Sequence, residues 1–308
     1  MKKLLFSFYL SLFFLYAQNV MKNGFVFVED LFTDGWAELE QPNFWQKVMR
    51  ISSDSLILNI AHNRKIVEIV HQDEWKKKSE EEKDAHKNAL LDQHCETHFG
   101  QCQIYATRGN RHYFVFDKVM QYIPKANQIF EKEGVDPWYA QSILLVESPN
   151  SLNTKSSAGA RGPFQLMRSL AQQYGLIVNT KVDQRTQLEP SAKVAAKFIK
   201  QVCIPRIRKG LLIYFPEDQI DEKSVWFRLL ILHAYHAGPG NVLSALQQIQ
   251  PTHTGPEIIR QLWQTQHRQF KNASQNYSQL ILAANLILYE KLALSSEKNT
   301  PKNADRKS

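Results

Sequence analysis

The sequence lacks the patterns that mark nucleic-acid or nucleotide binding. Its 308 residues contain no Gly-rich phosphate loop, no zinc-finger spacing and no basic face interleaved with aromatic side chains. We therefore expect no nucleic-acid partner and no cofactor. The formal net charge of +8 favours contact with polyanions in general. A basic surface of this size is also typical of soluble proteins, so the charge selects no particular partner.

Long apolar segments are missing too, apart from one at the N-terminus. There, Lys2 and Lys3 precede an apolar run over residues 4–15, and the small residue Ala17 follows. This order is typical of a secretory signal peptide, and the run is too short to span a bilayer comfortably. We predict a signal peptide over residues 1–17 and no transmembrane segment in the mature chain; a retained anchor or a buried strand is the alternative. The mature protein is then periplasmic, held in the cell envelope, or secreted.

Cysteine is scarce, with three residues in the whole chain. Export makes disulfides possible, and Cys95 and Cys102 are close enough in sequence to close a small loop. His94 and His98 flank this loop, but the spacing fits no zinc pattern, so we predict a disulfide and no metal site. Cys203 lies in an apolar stretch and is predicted to be a buried free thiol.

The first third of the chain has no single clear pattern. We interpret residues 18–43 as an extended lead-in and residues 44–92 as helical, with a charged amphipathic helix over 75–91. Residues 113–117 alternate like a short strand or an extended link. The helical interpretation of the middle part depends on apolar residues near helical spacing: Leu56, Ile57, Ile60, Ile66, Val67, Ile69 and Val70.

The pattern from Met120 onward is strongly helical, which predicts a mainly α fold. Asp136 and Pro137 form a typical helix start, and that helix should run to Glu147 and stop near Pro149. A loop rich in Ser, Asn and Gly follows. Further helices are predicted over residues 163–174, 191–202, 226–235 and 276–292, before a polar tail.

Glu147 is the first candidate for chemistry. It ends an apolar run on a helix C-terminus, and both surroundings disfavour a carboxylate: apolar neighbours remove its solvation, and the negative end of the helix dipole opposes its charge. A glutamic acid that keeps its proton is what glycosidic cleavage needs, because the leaving oxygen must be protonated. On position alone, an ordinary exposed Glu at a helix end is the alternative.

The residues that follow Glu147 form an ordered series of motifs. They are Glu147-Ser148, Ser156, Gly159-Ala160, the run from Gly162 to Met167 that contains Gln165, the stretch 234–242 (Ala-Tyr-His-Ala-Gly-Pro-Gly-Asn-Val), and Asn276-Tyr277. This series resembles the catalytic domain of the soluble lytic transglycosylases, relatives of goose-type lysozyme, over roughly residues 120–290.

The resemblance implies a domain organisation. A lysozyme-like helical catalytic domain occupies residues 120–292, and a smaller, mostly helical N-terminal region of unassigned role occupies residues 18–119. A polar tail over residues 293–308 completes the chain. No particular protein partner is predicted.

The resemblance also implies a reaction on peptidoglycan glycan strands. Glu147 would protonate the bond between N-acetylmuramic acid and N-acetylglucosamine. It would then act as base on the muramoyl hydroxymethyl group, whose oxygen attacks the sugar's own anomeric carbon. The product has a 1,6-anhydro end and no water is consumed. Because the substrate acetamido group would assist, one carboxylate suffices where glycosidases commonly use two.

Other residues acquire roles from the same resemblance. Tyr277 would hydrogen-bond the carboxyl group of Glu147, and Ser148 would orient that carboxyl or the acetamido group. The residues that would contact the substrate are Ser148, Ser156, Gly162, Gln165, Tyr235 and His236. Without the motifs, the glycines would be turn residues and the tyrosines core aromatics.

Three departures from the family pattern stand out. Pro163-Phe164 replaces the usual Leu-Met before the glutamine, and Pro149 stiffens the turn after the glutamate. His236 stands where the family has asparagine, so a group that titrates near neutral pH occupies the cleft.

Two other functions fit the sequence. A lysozyme-type hydrolase of the same bond would need an activated water, commonly held by a second carboxylate, for which Asp183 and Glu189 are the nearest candidates in sequence. A non-catalytic cell-wall-binding or scaffold protein is the other possibility, although such a protein has no use for a carboxyl group in an apolar niche.

Overall fold

A computed structural model describes residues 20–95 and 102–299. The predicted signal peptide, His98 and the end of the polar tail lie outside this range. The fold is mainly helical with a small sheet near the N-terminus, which confirms the predicted fold class. Over the described residues, none of the helices is both long and apolar enough to cross a membrane.

The N-terminal region combines short helices with two small sheets. Its strands are β1 (Val20–Lys22), β2 (Phe25–Phe27), β3 (Ser55–Ile60), β4 (Ile66–His71) and β5 (Ile104–Arg108). Its helices are α1 (Asp30–Thr33), α2 (Glu40–Arg50), α3 (Gln72–Lys77), α4 (Glu80–His94) and α5 (Phe116–Met120). β1 pairs with β2, and a second, antiparallel sheet has the order β4-β3-β5.

The helical interpretation of residues 44–92 was wrong between Ser55 and His71. These residues form the β3–β4 hairpin, and the central strand β3 is buried on both faces. A strand covered on both sides is a continuous apolar run, which periodicity alone does not distinguish from a buried helix segment. The β-branched isoleucines and valines favour the extended conformation.

The charged helix predicted over residues 75–91 is two helices, α3 and α4. The helical conformation is interrupted before Ser79, which caps α4. The Ser79 hydroxyl accepts a hydrogen bond from the Glu82 N–H, and the Glu82 side chain accepts one from the Ser79 N–H. This capping box starts a new helix within the charged run. The interpretation of 113–117 was only partly right, because residues 116–120 are helical and the strand lies earlier, at β5.

The cysteine predictions are confirmed. Cys95 and Cys102 form a disulfide, with their Cα atoms 6.8 Å apart, and Cys203 is a buried free thiol.

The helices of the second part surround one core. They are α6 (Ile123–Lys132), α7 (Pro137–Glu147), α8 (Arg168–Gln173), α9 (Leu188–Phe198), α10 (Ile204–Leu211), α11 (Val225–Ala237), α12 (Pro239–Ile249), α13 (Pro256–Gln264) and α14 (Asn272–Asn299). A π-helical turn, Ile199–Cys203, joins α9 to α10. The last helix starts before and ends after the predicted 276–292, so part of the predicted tail is helical.

The helix α7 forms as the sequence predicts. Asp136 caps it by accepting a hydrogen bond from the Trp138 N–H, and Pro137 occupies its first turn. The other carboxylate oxygen of Asp136 lies 2.6 Å from the guanidinium of Arg228, which is 1% exposed. The helix is buried over nearly its whole length and ends at Glu147, so its core packing fixes where that residue lies.

The start of the described chain packs into the same core as the helices. The buried Gln141 of α7 bonds to both the N–H and the carbonyl of Val26, as a neighbouring strand would. The hydroxyl of Tyr289 on α14 accepts a hydrogen bond from the Val28 N–H. Val26 and Val28 therefore belong to the hydrophobic core that contains α7 and α14, although they lie in the predicted N-terminal region.

The helix predicted over residues 163–174 is shorter than expected. Only Arg168–Gln173 is helical, because Gln165 adopts a left-handed backbone with φ 44°. Its side-chain amide donates to the carbonyls of Thr154 and Gly162, each at 2.8 Å, and these bonds hold the segment as a turn. Non-glycine residues in this conformation are strained, and such strain is common at functional sites.

Candidate active site

Glu147 lies at the C-terminal end of α7, with its side chain 18% exposed. The last carbonyl groups of a helix have no intrahelical partners, and they place a negative potential beside this side chain.

His236 and Tyr277 lie together beside this carboxyl group. The Nδ1 atom of His236 is 3.8 Å from a carboxylate oxygen of Glu147, within ion-pair range when the imidazole is charged. The His236 and Tyr277 rings are stacked, with centroids 4.2 Å apart and an interplanar angle of 17°. The ends of three helices, α7, α11 and α14, thus bring together residues that are far apart in sequence.

Three tyrosines surround Glu147: Tyr113, Tyr235 and Tyr277. Burial, and after it the charge of the Glu147 carboxylate, raises the pKa of all three, that of Tyr113 to about 12. Their hydroxyls therefore keep their protons and remain hydrogen-bond donors at neutral pH. The Tyr277 hydroxyl is buried and makes no fully formed hydrogen bond to the described residues, although it lies close enough to Glu147 for the carboxylate to affect its pKa. Such bonds often tighten only when substrate binds.

Ser148 follows Glu147 directly and connects it to the next loop. It is fully buried, and its hydroxyl donates to the carbonyl of Pro163 at 3.0 Å. Tyr235 donates to the neighbouring carbonyl of Phe164 at 2.6 Å. These bonds fix the wall of the site relative to Glu147, and the predicted contacts of both residues with the substrate stay a prediction.

Gly162 is required by the packing of the same loop. Its φ of 84° is in the left-handed region, and a Cβ there would lie 1.8 Å from the carbonyl oxygen of Arg185. Ser156, half-buried, accepts a hydrogen bond from the Ala160 N–H and closes a turn before it. The alternative role of Gly162, as a turn residue, is therefore supported by direct contacts.

Arg185 organises the loop, and sequence reasoning did not identify it. Its buried guanidinium donates to the carbonyls of Gly159 and Leu166 and pairs with Asp183 at 2.8 Å. Burial is what distinguishes the Asp183–Arg185 ion pair from an ordinary solvated one, and the sequence does not reveal that burial. Tyr113 was also missed, because its segment was interpreted as a strand or link.

The two carboxylates considered for a hydrolase are engaged elsewhere. Asp183 caps a short 3-10 helix, Gln184–Thr186, and the hydrogen bond from Arg185 is the main cause that lowers the pKa of its carboxyl group. Glu189 is exposed and pairs with Lys193 at 3.0 Å. Among the described residues, no hydrogen bond or ion pair joins either carboxylate to Glu147, and each is held by a basic side chain.

Glu147 lines neither of two cavities that the described residues form. Among the described residues, no group of three or more His, Cys, Asp or Glu side chains is placed to hold a metal ion. A cavity of about 640 Å³ between α2, α5 and α14 contains none of the predicted site residues. A polar cavity of about 420 Å³ lies beside Ser148, lined in part by Tyr122 and Asn150.

Comparison with known families identifies one domain. Residues 124–253 match the family described as Transglycosylase SLT domain, which belongs to the lysozyme-like superfamily. The resemblance predicted from the sequence is thereby confirmed, and the chain carries a transglycosylase SLT domain. The chain matches none of the curated proteins with which it was compared. The family indicates a transglycosylase that acts on peptidoglycan, and hence a location outside the cytoplasm.

Proposed function

We propose that this protein is a peptidoglycan lytic transglycosylase that cleaves the bond between N-acetylmuramic acid and N-acetylglucosamine and leaves 1,6-anhydro ends. Glu147 is the single acid and base. It first gives its proton to the glycosidic oxygen, which breaks the bond to the anomeric carbon. It then takes the proton of the muramoyl hydroxymethyl group, whose oxygen forms the new bond. Atoms balance without water.

The observation that carries this proposal is one carboxyl group among tyrosines and a histidine. Glu147 lies at a buried helix end beside Tyr277 and His236, whose hydroxyl and imidazole can donate hydrogen bonds to it, whereas the hydroxyls of Tyr113 and Tyr235 donate to backbone carbonyls. Such donors stabilise the carboxylate that exists between the two proton transfers. A pure binding protein would gain nothing from this arrangement, which argues against the scaffold alternative.

The hydrogen bonds that Asp183 and Glu189 make to basic side chains favour the lytic reaction over hydrolysis. A water-activating carboxylate must be free to accept a proton at the bond under attack. Asp183 is held by Arg185 and Glu189 by Lys193. An internal hydroxyl as nucleophile removes the need for such a group.

The substrate-binding surface is proposed on the same side. We assign Gln165 and His236 to direct contact with the sugar, since His236 is exposed and Gln165 is half-buried on the loop wall. Ser148, Ser156, Gly162 and Tyr235 hold that wall in place through the contacts described above. Export through the signal peptide 1–17 would deliver the enzyme to its substrate.

The test is digestion of purified peptidoglycan, with product masses read by mass spectrometry. Anhydro ends support the lytic reaction, and reducing ends, which are one water heavier, identify a hydrolase. A binding protein would be identified by two results together: the wild type shows no turnover, and Glu147→Ala folds normally but no longer binds the cell wall.

A further inference from the structure

The segment of the chain that matches the family begins at residue 124, yet the environment of Glu147 is not complete without residues that precede it. Tyr113 reaches the end of α7 from the link between β5 and α5. Its hydroxyl lies 3.3 Å from the Glu147 carbonyl oxygen and 3.4 Å from that of Val146, and it can donate to either. These are carbonyls that the helix itself leaves without a partner.

We propose that the N-terminal region positions the reacting groups: Tyr113 fixes the helix end that carries Glu147, and Arg64 fixes the helix start that carries Tyr277. This inference rests on the proposed function and assigns a role to a region outside the matched domain. Both are positioning residues, because each acts through the backbone or a neighbour of the reacting group.

The Tyr113 contact has an electrostatic consequence as well as a geometric one. The last carbonyls of α7 oppose negative charge at Glu147, and a donor bound to them reduces that opposition. The titratable groups that face the Glu147 carboxyl are Tyr113, Tyr235, Tyr277 and His236. Loss of the Tyr113 hydroxyl should therefore make the Glu147 carboxylate less stable relative to its protonated form.

The Arg64 contact is independent of the first and comes from the sheet. Arg64 occupies the turn between β3 and β4, and its guanidinium donates to the side-chain oxygen of Asn276 at 3.0 Å. It lies over two aromatic rings, with centroids 5.4 Å away at Phe44 and 5.8 Å away at Tyr105. A guanidinium fixed by rings is a rigid donor.

Asn276 immediately precedes Tyr277 in the first turns of α14. One turn further on, the Gln279 side chain accepts a hydrogen bond from the indole of Trp45 on α2, at 2.9 Å. The start of α14 is thus tied to the N-terminal region at two points, one on each side of Tyr277. The rotation of this helix decides where the Tyr277 ring lies relative to Glu147.

The experiment compares Tyr113→Phe and Arg64→Met with matched controls in the full chain. Tyr214→Phe removes a hydroxyl from a half-buried tyrosine shortly after α10, and Arg108→Met removes an exposed guanidinium from β5, in the sheet whose β3–β4 turn carries Arg64. Steady-state turnover on peptidoglycan, its pH dependence and the thermal midpoint are measured for each, with turnover assayed well below the lowest midpoint.

Tyr113→Phe should lower kcat about 10-fold with KM changed less than about twofold, the scale for loss of one orienting group. The high-pH limb of its kcat profile should move to higher pH. Arg64→Met should lower kcat by roughly 3- to 10-fold, and Arg64→Lys, which keeps a donor for Asn276, should recover part of it. Both controls should keep the wild-type kcat and pH profile.

Two results would overturn the inference. One is a kcat and pH profile in Tyr113→Phe and Arg64→Met equal to those of their controls. The other is a lowered thermal midpoint with wild-type kcat, which would make both contacts merely structural. Wild type itself serves as the check on the proposed function: if it yields no anhydro products, the function is wrong, whereas an active wild type with unaffected variants refutes only the positioning role.

Discussion

Substitution of the buried His233 should make the stability of the protein less sensitive to acid. His233 lies on α11, one turn before His236, and is fully buried. Its Nε2 is 2.8 Å from the hydroxyl oxygen of Ser278, the residue after Tyr277, and the same oxygen accepts a hydrogen bond from the Trp263 indole at 2.8 Å. Burial, with a smaller contribution from His236, lowers the pKa of His233 to about 3.

The sign of the effect follows from which state binds the proton. The unfolded chain protonates this histidine near its ordinary pKa of about 6.5, whereas the folded chain does so only near 3. The folded state is therefore favoured fully above about pH 6.5, and this advantage is lost as pH falls through the window between the two values. Between pH 7 and pH 5 the loss is about 2 kcal/mol, since each pH unit in the window costs about 1.4 kcal/mol.

The perturbation is His233→Gln, which keeps a polar side chain for Ser278 but does not titrate. Urea unfolding at pH 7 and pH 5 gives the free energy of unfolding of wild type and variant. Wild type should lose about 2 kcal/mol more than the variant over this range, whatever the variant loses at pH 7. His253→Gln, at an exposed histidine, is the control and should follow wild type. Equal pH dependence in wild type and His233→Gln would refute the reasoning.

Three further predictions concern the site directly. Tyr277→Phe should lower turnover roughly 10- to 1,000-fold and change the free energy of unfolding by about 1 kcal/mol at most; full activity would make Tyr277 a core aromatic only. His236→Asn should keep turnover on peptidoglycan within about threefold, because both side chains can donate a hydrogen bond; a larger loss would mean that the imidazole, which stacks on Tyr277, does more than donate. Gly162→Ala should destabilise the fold by about 2 kcal/mol or more, measured by urea unfolding, because the added Cβ meets the Arg185 carbonyl at 1.8 Å and the backbone is left-handed; a near-neutral result would mean that the loop relaxes freely.

The helical part of the fold could be predicted from the sequence because its signals are local. Asp136 and Pro137 mark the start of α7, and the apolar run that follows leads directly to Glu147, so the position of this residue at a helix end was predictable. The sheet β4-β3-β5 was not, because β3 is covered on both faces and its apolar residues therefore lack the alternation typical of an exposed strand.

The site residues that belong to sequence motifs could be predicted, whereas those that come from distant segments outside the motifs could not. The motifs predicted Glu147, His236 and Tyr277, and the structure brings these three together. Tyr113 and Arg64 have no such signal: each acts through one hydrogen bond across many residues of sequence, and no local pattern reports that contact.

The central claim, that Glu147 is the only proton donor and acceptor in a lytic reaction, is tested most directly by digesting purified peptidoglycan with wild type and Glu147→Gln. The amide is nearly the same size as the carboxyl group, so the fold should persist, as thermal unfolding would show. Wild type should release products with anhydro-muramoyl ends, and the variant should release less than a few per cent as much. Substantial anhydro product from the folded variant, or reducing ends from wild type, would contradict the account.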